Sequence, residues 1–262
     1  MTKLLALAIA CAACFYCPAQ TYQLAPPLMK TGAVFFSATS QLRFEFRQPG
    51  AVIRYTTDGS LPSASSKRYS GPITVTNNRT IVQARSFAKG FRPSEPVGQQ
   101  FWKKGAGFTV ENCSKPNERY SAKGTSSLND NIGGSPALSN GNWLGFQSDT
   151  VIIDLSITYG KPVQEMMLDL LQAEDQWIFM PASVQWLAWN ETRQAWDLMA
   201  EKKFNPEEPH AGSECQFTLL KAATAVQAKK QRVVMVPLQQ LPDWHAGKGQ
   251  PAWLFIDELK LY

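Results

Sequence analysis

The chain has 262 residues, with 26 lysines and arginines against 21 acidic residues and a formal net charge of +5. Apart from the lysine pairs at 103–104, 202–203 and 229–230, the basic residues are scattered and form no stripe interleaved with aromatic residues. The composition therefore argues against a nucleic-acid-binding protein, and the length allows one or two domains, each with a sizeable core.

The first residues have the layout of an export signal, in which one lysine precedes an uncharged run of apolar and small residues. That layout predicts a secretory signal peptide over residues 1–19, cleaved after Ala19. The apolar run 4–16 is shorter than the roughly 20 residues that cross a bilayer, so no transmembrane segment is predicted. We expect an exported protein of the bacterial periplasm or cell surface, with lipid attachment at Cys11 as the alternative.

Cleavage would leave two cysteines, Cys113 and Cys215, and no CxxC motif or His/Cys cluster that indicates a zinc site. Two cysteines in an exported protein either form one disulfide or remain as buried thiols. The sequence leaves both alternatives open.

The first half of the mature chain consists of short apolar or alternating runs separated by turn signals, a spacing typical of sandwiches and barrels. Asp58-Gly59 and Lys89-Gly90 mark two of the tight turns. The predicted strands are 42–47, 52–56, 73–75 and 80–87. We therefore predict an all-β fold.

Residues 53–95, IRYTTDGSLPSASSKRYSGPITVTNNRTIVQARSFAKGFRPSE, follow the ordered pattern xIxYTxDGxxPxxxSxxYxxPIxI. In this respect the segment resembles the small β-sandwich at the C-terminal side of chitobiases and other β-hexosaminidases. The resemblance implies an Ig/fibronectin-like β-sandwich over residues 24–103. Asp58 is then a hairpin-turn residue rather than a catalytic acid, and Tyr55 and Tyr69 fill the core.

The sequence changes in character at 102–107, WKKGAG, which we interpret as the junction between two domains. Predicted strands of the second half are 150–155, 163–171, 183–189, 232–237 and 252–262. The polar segment 204–213 is predicted as a loop. Residues 214–230 fit either a strand or a short helix.

Five motifs of the second half occur in the order SLNDNIGGS, NWLGF, TVIIDLS, WIFMPASVQWLAWN and PDWHAGKGQPAWLFIDE. In that order they look like the discoidin-type, galactose-binding-like jelly roll that follows the catalytic domain in many bacterial β-hexosaminidases. The resemblance implies a β jelly roll over residues 106–262. The chain is thus similar to the C-terminal region of such an enzyme without the catalytic domain.

The adjacent pair Asp257-Glu258 is of interest because the family-20 hexosaminidases also use an adjacent Asp-Glu pair. Here the pair lies inside a predicted strand, and no (βα)₈ pattern precedes it. Successive strand residues point to opposite faces, so we expect these two carboxylates on opposite sides of the sheet. We predict no catalytic residue and no enzyme activity.

The jelly-roll resemblance implies a structural calcium ion between the loop LNDNIGGS and the last strand. Its proposed ligands are carboxylate, hydroxyl and backbone carbonyl oxygens, which suit a hard cation. They are Asp130, Ser135 and Glu258, with the carbonyls of Leu128 and Ile132. Asn131 stands where the family often has glycine, and asparagine tolerates a left-handed backbone. The alternative is a turn beside a buried, hydrogen-bonded glutamate.

Aromatic residues in loops are candidates for sugar binding, because flat rings cover the C–H face of a sugar. Trp244 and His245 lie in the glycine-rich PDWHAGKGQP loop, and Trp143 follows Asn-Gly-Asn. These three are the predicted ligand-binding residues, and His210 lies in another loop. The alternative is a loop anchored by a buried ring and a hydrogen-bonded imidazole. Four further tryptophans are expected in the core: Trp177, Trp186, Trp189 and Trp253.

The sequence thus predicts an exported, non-catalytic protein of two β modules that serves in glycan utilisation. Its expected partner is a glycan that contains amino sugars. The alternative function is docking to a separate glycosidase or to the cell envelope, with no sugar binding.

Overall fold

The computed structural model describes residues 22–138, 141–159, 162–206 and 208–262. The predicted signal peptide, 1–19, lies outside these residues. Within them no helix is long and apolar enough to cross a membrane. The regular structure consists of strands β1 to β18, all but β10 in four sheets, with short 3₁₀ turns at Glu118–Tyr120, Ser126–Asn129 and Glu174–Gln176. The predicted all-β fold is confirmed.

The first eight strands form a three-stranded sheet in the order β1-β3-β6 and a five-stranded sheet in the order β2-β8-β7-β4-β5. Their bounds are β1 Leu28–Thr31, β2 Phe35–Phe36, β3 Ser40–Glu45, β4 Val52–Thr56, β5 Lys67–Arg68, β6 Ile73–Val75, β7 Arg79–Phe87 and β8 Val97–Lys103. We call this part of the chain the first module.

Strict alternation along β3 and β7 points every second residue into the core of the first module. Tyr55 and Tyr69 pack there edge to face, with ring centroids 6.4 Å apart. At the predicted hairpin turn, Asp58 Oδ1 accepts a hydrogen bond from the Ser60 N–H at 3.0 Å, and Gly59 has a φ of +86°. Asp58 is therefore a turn residue, as predicted.

The remaining strands except β10 form a four-stranded sheet in the order β11-β18-β13-β16 and a five-stranded sheet in the order β15-β14-β17-β12-β9. Their bounds are β9 Gly107–Cys113, β10 Ala122–Thr125, β11 Leu144–Phe146, β12 Val151–Tyr159, β13 Val163–Ala173, β14 Ser183–Asn190, β15 Ala195–Lys203, β16 Ser213–Val226, β17 Lys230–Val236 and β18 Leu254–Leu261. The ambiguous segment 214–230 is thus mainly strand. We call this part the jelly roll.

The core of the jelly roll lies between its two sheets and includes Val151, Ile153, Leu168, Trp186 and Leu259. The Trp186 indole N–H donates to Gln231 Oε1 at 2.9 Å, so its burial leaves no donor unpaired. Cys113 on β9 and Cys215 on β16 are free thiols. Burial raises the pKa of Cys113 to about 11.

The two modules pack against each other through aromatic residues. Phe35 lies edge to face against Phe217, with centroids 5.8 Å apart, and Trp102 stacks on Tyr262 at 6.1 Å. Met167 is buried in the same cluster. The first module thus covers part of the outer face of the four-stranded sheet. The predicted boundaries, 24–103 and 106–262, stay predictions.

Gly105, at the junction of the modules, provides a test of this packing. A Cβ at this position would lie 2.1 Å from the carbonyl oxygen of Leu261. Because backbone cannot move aside cheaply, Gly105→Ala should destabilise the protein by about 1–3 kcal/mol, measured as a lower Tm. Gly71→Ala is the matched control, since a Cβ there meets nothing within 4 Å. Equal Tm values for the two variants would contradict this packing.

Candidate functional site

Three loops meet at one end of the jelly roll. Strands β13, β14, β15, β16 and β17 pair antiparallel with their neighbours, so every second connection between them lies at this end. The three loops are residues 174–182, residues 204–206 with 208–212, and residues 237–253. We call this region the loop end. It holds the predicted Trp-His motif.

His245 is the anchor of the loop end rather than an open ligand contact. The side chain is 9% exposed, Nδ1 accepts from the Gly247 N–H at 3.0 Å, and Nε2 lies 2.8 Å from the Glu174 carbonyl oxygen. Since Nδ1 accepts, Nε2 carries the proton and donates to that carbonyl, which makes the imidazole neutral. The predicted direct contact of His245 with a ligand is therefore replaced by a structural role.

Trp244 and Trp177 flank this buried histidine, each with its ring centroid 5.7 Å from that of His245. Their side chains are 38% and 37% exposed, respectively. The Trp244 Nε1–H donates to the Pro206 carbonyl at 3.2 Å, which fixes the ring to the neighbouring loop. The prediction that Trp177 lies in the core is wrong.

Trp177 reaches the surface because its backbone is left-handed, with a φ of 67°, after the 3₁₀ turn Glu174–Gln176. A bulky residue in this conformation costs of order 1–3 kcal/mol and persists only where the surroundings hold it. Gly247 supplies such a constraint, because a Cβ there would lie 2.6 Å from the Trp177 ring. The ring of Trp177 is thus fitted against the loop that carries Trp244.

Polar groups lie in the same loops as the two half-exposed rings. Asp175 and Gln176 are exposed beside Trp177. His210 Nε2 lies 3.4 Å from Glu214 Oε1, and the His210 backbone N–H donates to Glu174 Oε2 at 2.7 Å. Aromatic faces beside a carboxylate, an amide and an imidazole are the usual groups of a small polar-ligand site.

Trp143 plugs the jelly roll and is not a surface residue. It is 2% exposed, and its Nε1–H donates to the Ser135 carbonyl at 3.0 Å. Gly134 allows this close packing, since a Cβ there would lie 2.2 Å from the indole ring. The prediction that Trp143 contacts a ligand is corrected accordingly.

A second polar cluster lies on the outer face of the four-stranded sheet, where a β-bulge breaks the alternation of β18. Leu168 pairs with Leu259 but Leu170 pairs with Ile256, so two residues of β18 oppose Asp169 alone. Asp257 Oδ2 and Glu258 Oε1 therefore both accept hydrogen bonds from the loop that carries Ile132 and Gly134. The prediction that this pair faces opposite sides of the sheet is wrong.

Burial dominates the electrostatics of this carboxylate cluster. It raises the pKa of Asp257 to about 8 and that of Asp169 well above its usual range, with the neighbouring carboxylates adding to both shifts. Burial also raises the pKa of Glu258 and lowers that of Lys260. Lys260 Nζ lies 2.5 Å from Glu258 Oε2, so this pair compensates its own charge.

The residues of the predicted calcium site do not fit a calcium ion. Lys260 Nζ donates to Asn131 Oδ1 at 3.0 Å as well as to Glu258, so an ammonium already lies between loop and strand. Ser135 Oγ donates to the Ala137 carbonyl, and Asp130 Oδ1 accepts from the Ile132 N–H. Among the described residues, no group of three or more His, Cys, Asp or Glu side chains is arranged to hold a metal.

Two features of the predicted calcium loop nevertheless match the sequence analysis. Asn131 has a left-handed φ of 61°, and the loop contacts the last strand through Glu258. Leu128 is buried in the 3₁₀ turn Ser126–Asn129. The loop is thus in place, but a side-chain ammonium supplies its cation.

We expect the Tm of the mature protein to be the same, within about 1 °C, in calcium and in excess chelator, because a ligand stabilises only the state that binds it. Differential scanning fluorimetry measures this. Lys260→Met serves as the positive control, since it leaves the buried Glu258 uncompensated and should lower Tm. A calcium-dependent rise in the Tm of the unaltered protein would contradict the assignment.

The raised pKa of Asp257 has a consequence for stability. Its folded value, about 8, exceeds the unfolded value of 3.8, so the folded state binds more protons between them. The stabilisation of the folded state by protonated Asp257 is fully present below the unfolded pKa and is lost as pH rises through the folded pKa. The Tm of Asp257→Asn minus the Tm of the unaltered protein should therefore increase as pH rises from about 5 to about 8.

The control for this prediction is Asp149→Asn, which makes the same charge change at an exposed loop residue. Its Tm difference from the unaltered protein should not vary with pH. A constant Tm difference for Asp257→Asn would show that Asp257 ionises normally in the folded state.

Comparison with known proteins supports the interpretation of the first module. Residues 30–98 match the family model described as the chitobiase/β-hexosaminidase C-terminal domain. The resemblance noted at residues 53–95 is confirmed. No curated protein sequence matches the chain.

Several solved structures align with part of the chain. The family 32 carbohydrate-binding module of Streptococcus pneumoniae EndoD is 16% identical over 60% of this chain and 96% of that chain, with a TM-score of 0.39. The C-terminal domain of a chitobiase from Bacteroides fragilis is 14% identical over 59% and 92%, with a TM-score of 0.35. A family 32 module of a GH31 protein, bound to GalNAc, is 12% identical over 60% and 97%, with a TM-score of 0.35.

Trp177 and Asp169 are the two residues of interest that the sequence analysis missed. Trp177 follows Glu-Asp-Gln, a polar run that could have indicated a surface turn. Asp169 is a single acid in the apolar run MMLDLL, and a charge in such a strand needs a structural or functional reason.

Proposed function

We propose that this chain is an exported, non-catalytic carbohydrate-binding protein whose sugar site is the loop end of the jelly roll. The observation that carries the proposal is the pair of half-exposed tryptophans, Trp177 and Trp244, held around the buried and hydrogen-bonded His245. Two rings in fixed positions offer the flat apolar surface on which a sugar ring stacks. Asp175 and Gln176 are exposed beside Trp177, and the partly exposed His210 lies in a neighbouring loop, so these polar groups are the candidates to meet hydroxyl groups.

The loop end is organised before any ligand arrives. Glu174 accepts hydrogen bonds from His245 and Trp177 through its backbone carbonyl and from His210 through its carboxylate. Rings that are already ordered lose little conformational entropy on binding, and this saving improves affinity. The arrangement therefore favours recognition over a role as a mobile linker.

The amino-sugar class of the ligand is supported by the family match of residues 30–98 to a domain of chitobiases and β-hexosaminidases. The matched segment is a C-terminal domain, which supports a non-catalytic role. The carboxylates that resemble a catalytic pair support it as well. Asp257 and Glu258 are fully buried, and Glu258 is neutralised by Lys260, so neither can reach a glycosidic bond.

The alternative is that the loop end docks a separate glycosidase and binds no sugar. Half-exposed tryptophans also occur at protein interfaces, where they act as anchors. Both functions use the same surface, so a binding experiment with isolated glycans separates them.

Trp244→Ala should weaken glycan binding by at least about tenfold, because it removes one of the two stacking faces. Its Tm should change by less than about 2 °C, since the ring is partly exposed. Glycan-array binding of the mature protein, followed by calorimetry on the best glycan, measures the first effect. Leu198→Ala removes an exposed apolar side chain from β15, outside the loop end, and is the matched control.

Two results would count against the sugar site. Unchanged affinity in both Trp244→Ala and Trp177→Ala would move the site elsewhere. Failure of the unaltered protein to bind any glycan, together with Trp244-dependent binding to a glycosidase, would favour docking.

A further inference from the structure

A second concave surface lies between the two modules, away from the loop end. This inter-module cleft has a volume of about 660 Å³, within the range of small-ligand sites. One wall comes from the first module and includes Ile81, Gln83 and residues 98–100. The other wall comes from the jelly roll and includes residues 133–136 and 214–215.

The jelly-roll wall contains a buried acid with an unused oxygen. Asp169 lines the cleft, is 1% exposed, and its Oδ1 has no hydrogen-bond partner among the described residues. The neighbouring Asp257 also has an Oδ1 without such a partner. A buried polar atom without a partner costs about 1–3 kcal/mol, so a ligand that donates to Asp169 would recover part of that cost.

Most of the polar side chains with a donor that line the cleft already donate within the protein. Gln83 Nε2 donates to the Gly59 carbonyl at 2.9 Å, and Gln99 Nε2 donates to the Gln100 carbonyl at 3.0 Å. The hydroxyl of Ser135 and the thiol of Cys215 also donate to backbone carbonyls. Four side-chain donors of the lining are therefore already engaged within the protein.

The charged residues of the lining also favour a cationic ligand. Asp169 and Glu214 are among the described residues that line the cleft, and none of that set is lysine or arginine. An anion would meet only negative or neutral groups there, whereas a cation would be attracted. Phe217, which is half-buried and contacts the buried Phe35 edge to face, adds an apolar surface for the body of a ligand.

We infer that the inter-module cleft binds an amino sugar through its free ammonium group, which donates to Asp169 while the sugar ring packs on Phe217. The inference rests on the proposed function in one respect, that the ligand is a saccharide. The location of the site and its requirement for a positive charge do not depend on the proposed function. It distinguishes glucosamine, which is cationic, from N-acetylglucosamine, which is neutral.

The ionisation of Asp169 is consistent with this role. Burial and the carboxylates of Asp257 and Glu258 raise its pKa well above the usual range. A ligand ammonium beside Asp169 opposes these effects and favours the carboxylate, which makes the hydrogen bond charge-assisted.

Isothermal titration calorimetry with two trisaccharides tests the inference on the full mature chain. One probe is the β-1,4-linked trisaccharide of glucosamine, and the other is its fully N-acetylated counterpart. We expect the glucosamine form to bind at least about tenfold more tightly. Equal affinity, or tighter binding of the acetylated form, would overturn the inference.

Asp169→Asn should abolish this preference, because it keeps the shape of the side chain but cannot carry the charge. Gln99→Arg approaches the same cleft from the other module and places a tethered cation in it, so it should also abolish binding of the glucosamine form. Asp149→Asn is the charge-matched control and should bind as the unaltered protein does. A preference that survives both Asp169→Asn and Gln99→Arg would place the ammonium site elsewhere.

Two further measurements separate this site from its alternatives. Trp244→Ala should leave the glucosamine preference intact, so the loop end and the cleft can fail independently. Spermidine carries the charge without a sugar ring and should bind more weakly than the trisaccharide. Spermidine binding of equal strength would overturn the saccharide assignment.

Discussion

The burial of strand β18 on both faces is the constraint on which the rest of the structure depends. Its inner face packs in the jelly-roll core, and its outer face is covered by the loop at residues 130–136 and by Phe35 of the first module. Charged residues on this strand cannot reach water and must be compensated internally. Lys260 does so for Glu258, and its ammonium also lies 5.3 Å from the Phe35 ring centroid. One lysine therefore links loop, strand and first module.

The same covering separates two kinds of polar site. Asp257 and Glu258 lie under the loop, where burial raises the pKa of each and keeps both away from a substrate. At the loop end, by contrast, a neutral buried imidazole is the support and the tryptophans remain accessible. The exposed rings are thus held by an interior network, whereas the carboxylates are withdrawn from solvent.

The inter-module cleft exists because the first module covers only part of the four-stranded sheet. Phe35 and Trp102 close one area, and beyond it Asp169 lies in the remaining gap. Its Oδ1 lacks the partner that Lys260 gives to Glu258. The sites proposed at the cleft and at the loop end would use different chemistry, charge in one and stacking in the other.

The sequence by itself determined the all-β fold, most strand positions, the Asp58-Gly59 turn and the family of the first module, because these depend on local alternation and on short-range turn geometry. It also located the Trp-His loop. Only the tertiary structure decided the bulge opposite Asp169, the exposure of Trp177, the burial of Trp143 and the place of Lys260 between Asn131 and Glu258. Each of these depends on partners distant in sequence. Alternation predicts a face only while the register holds, and register is fixed by the neighbouring strand.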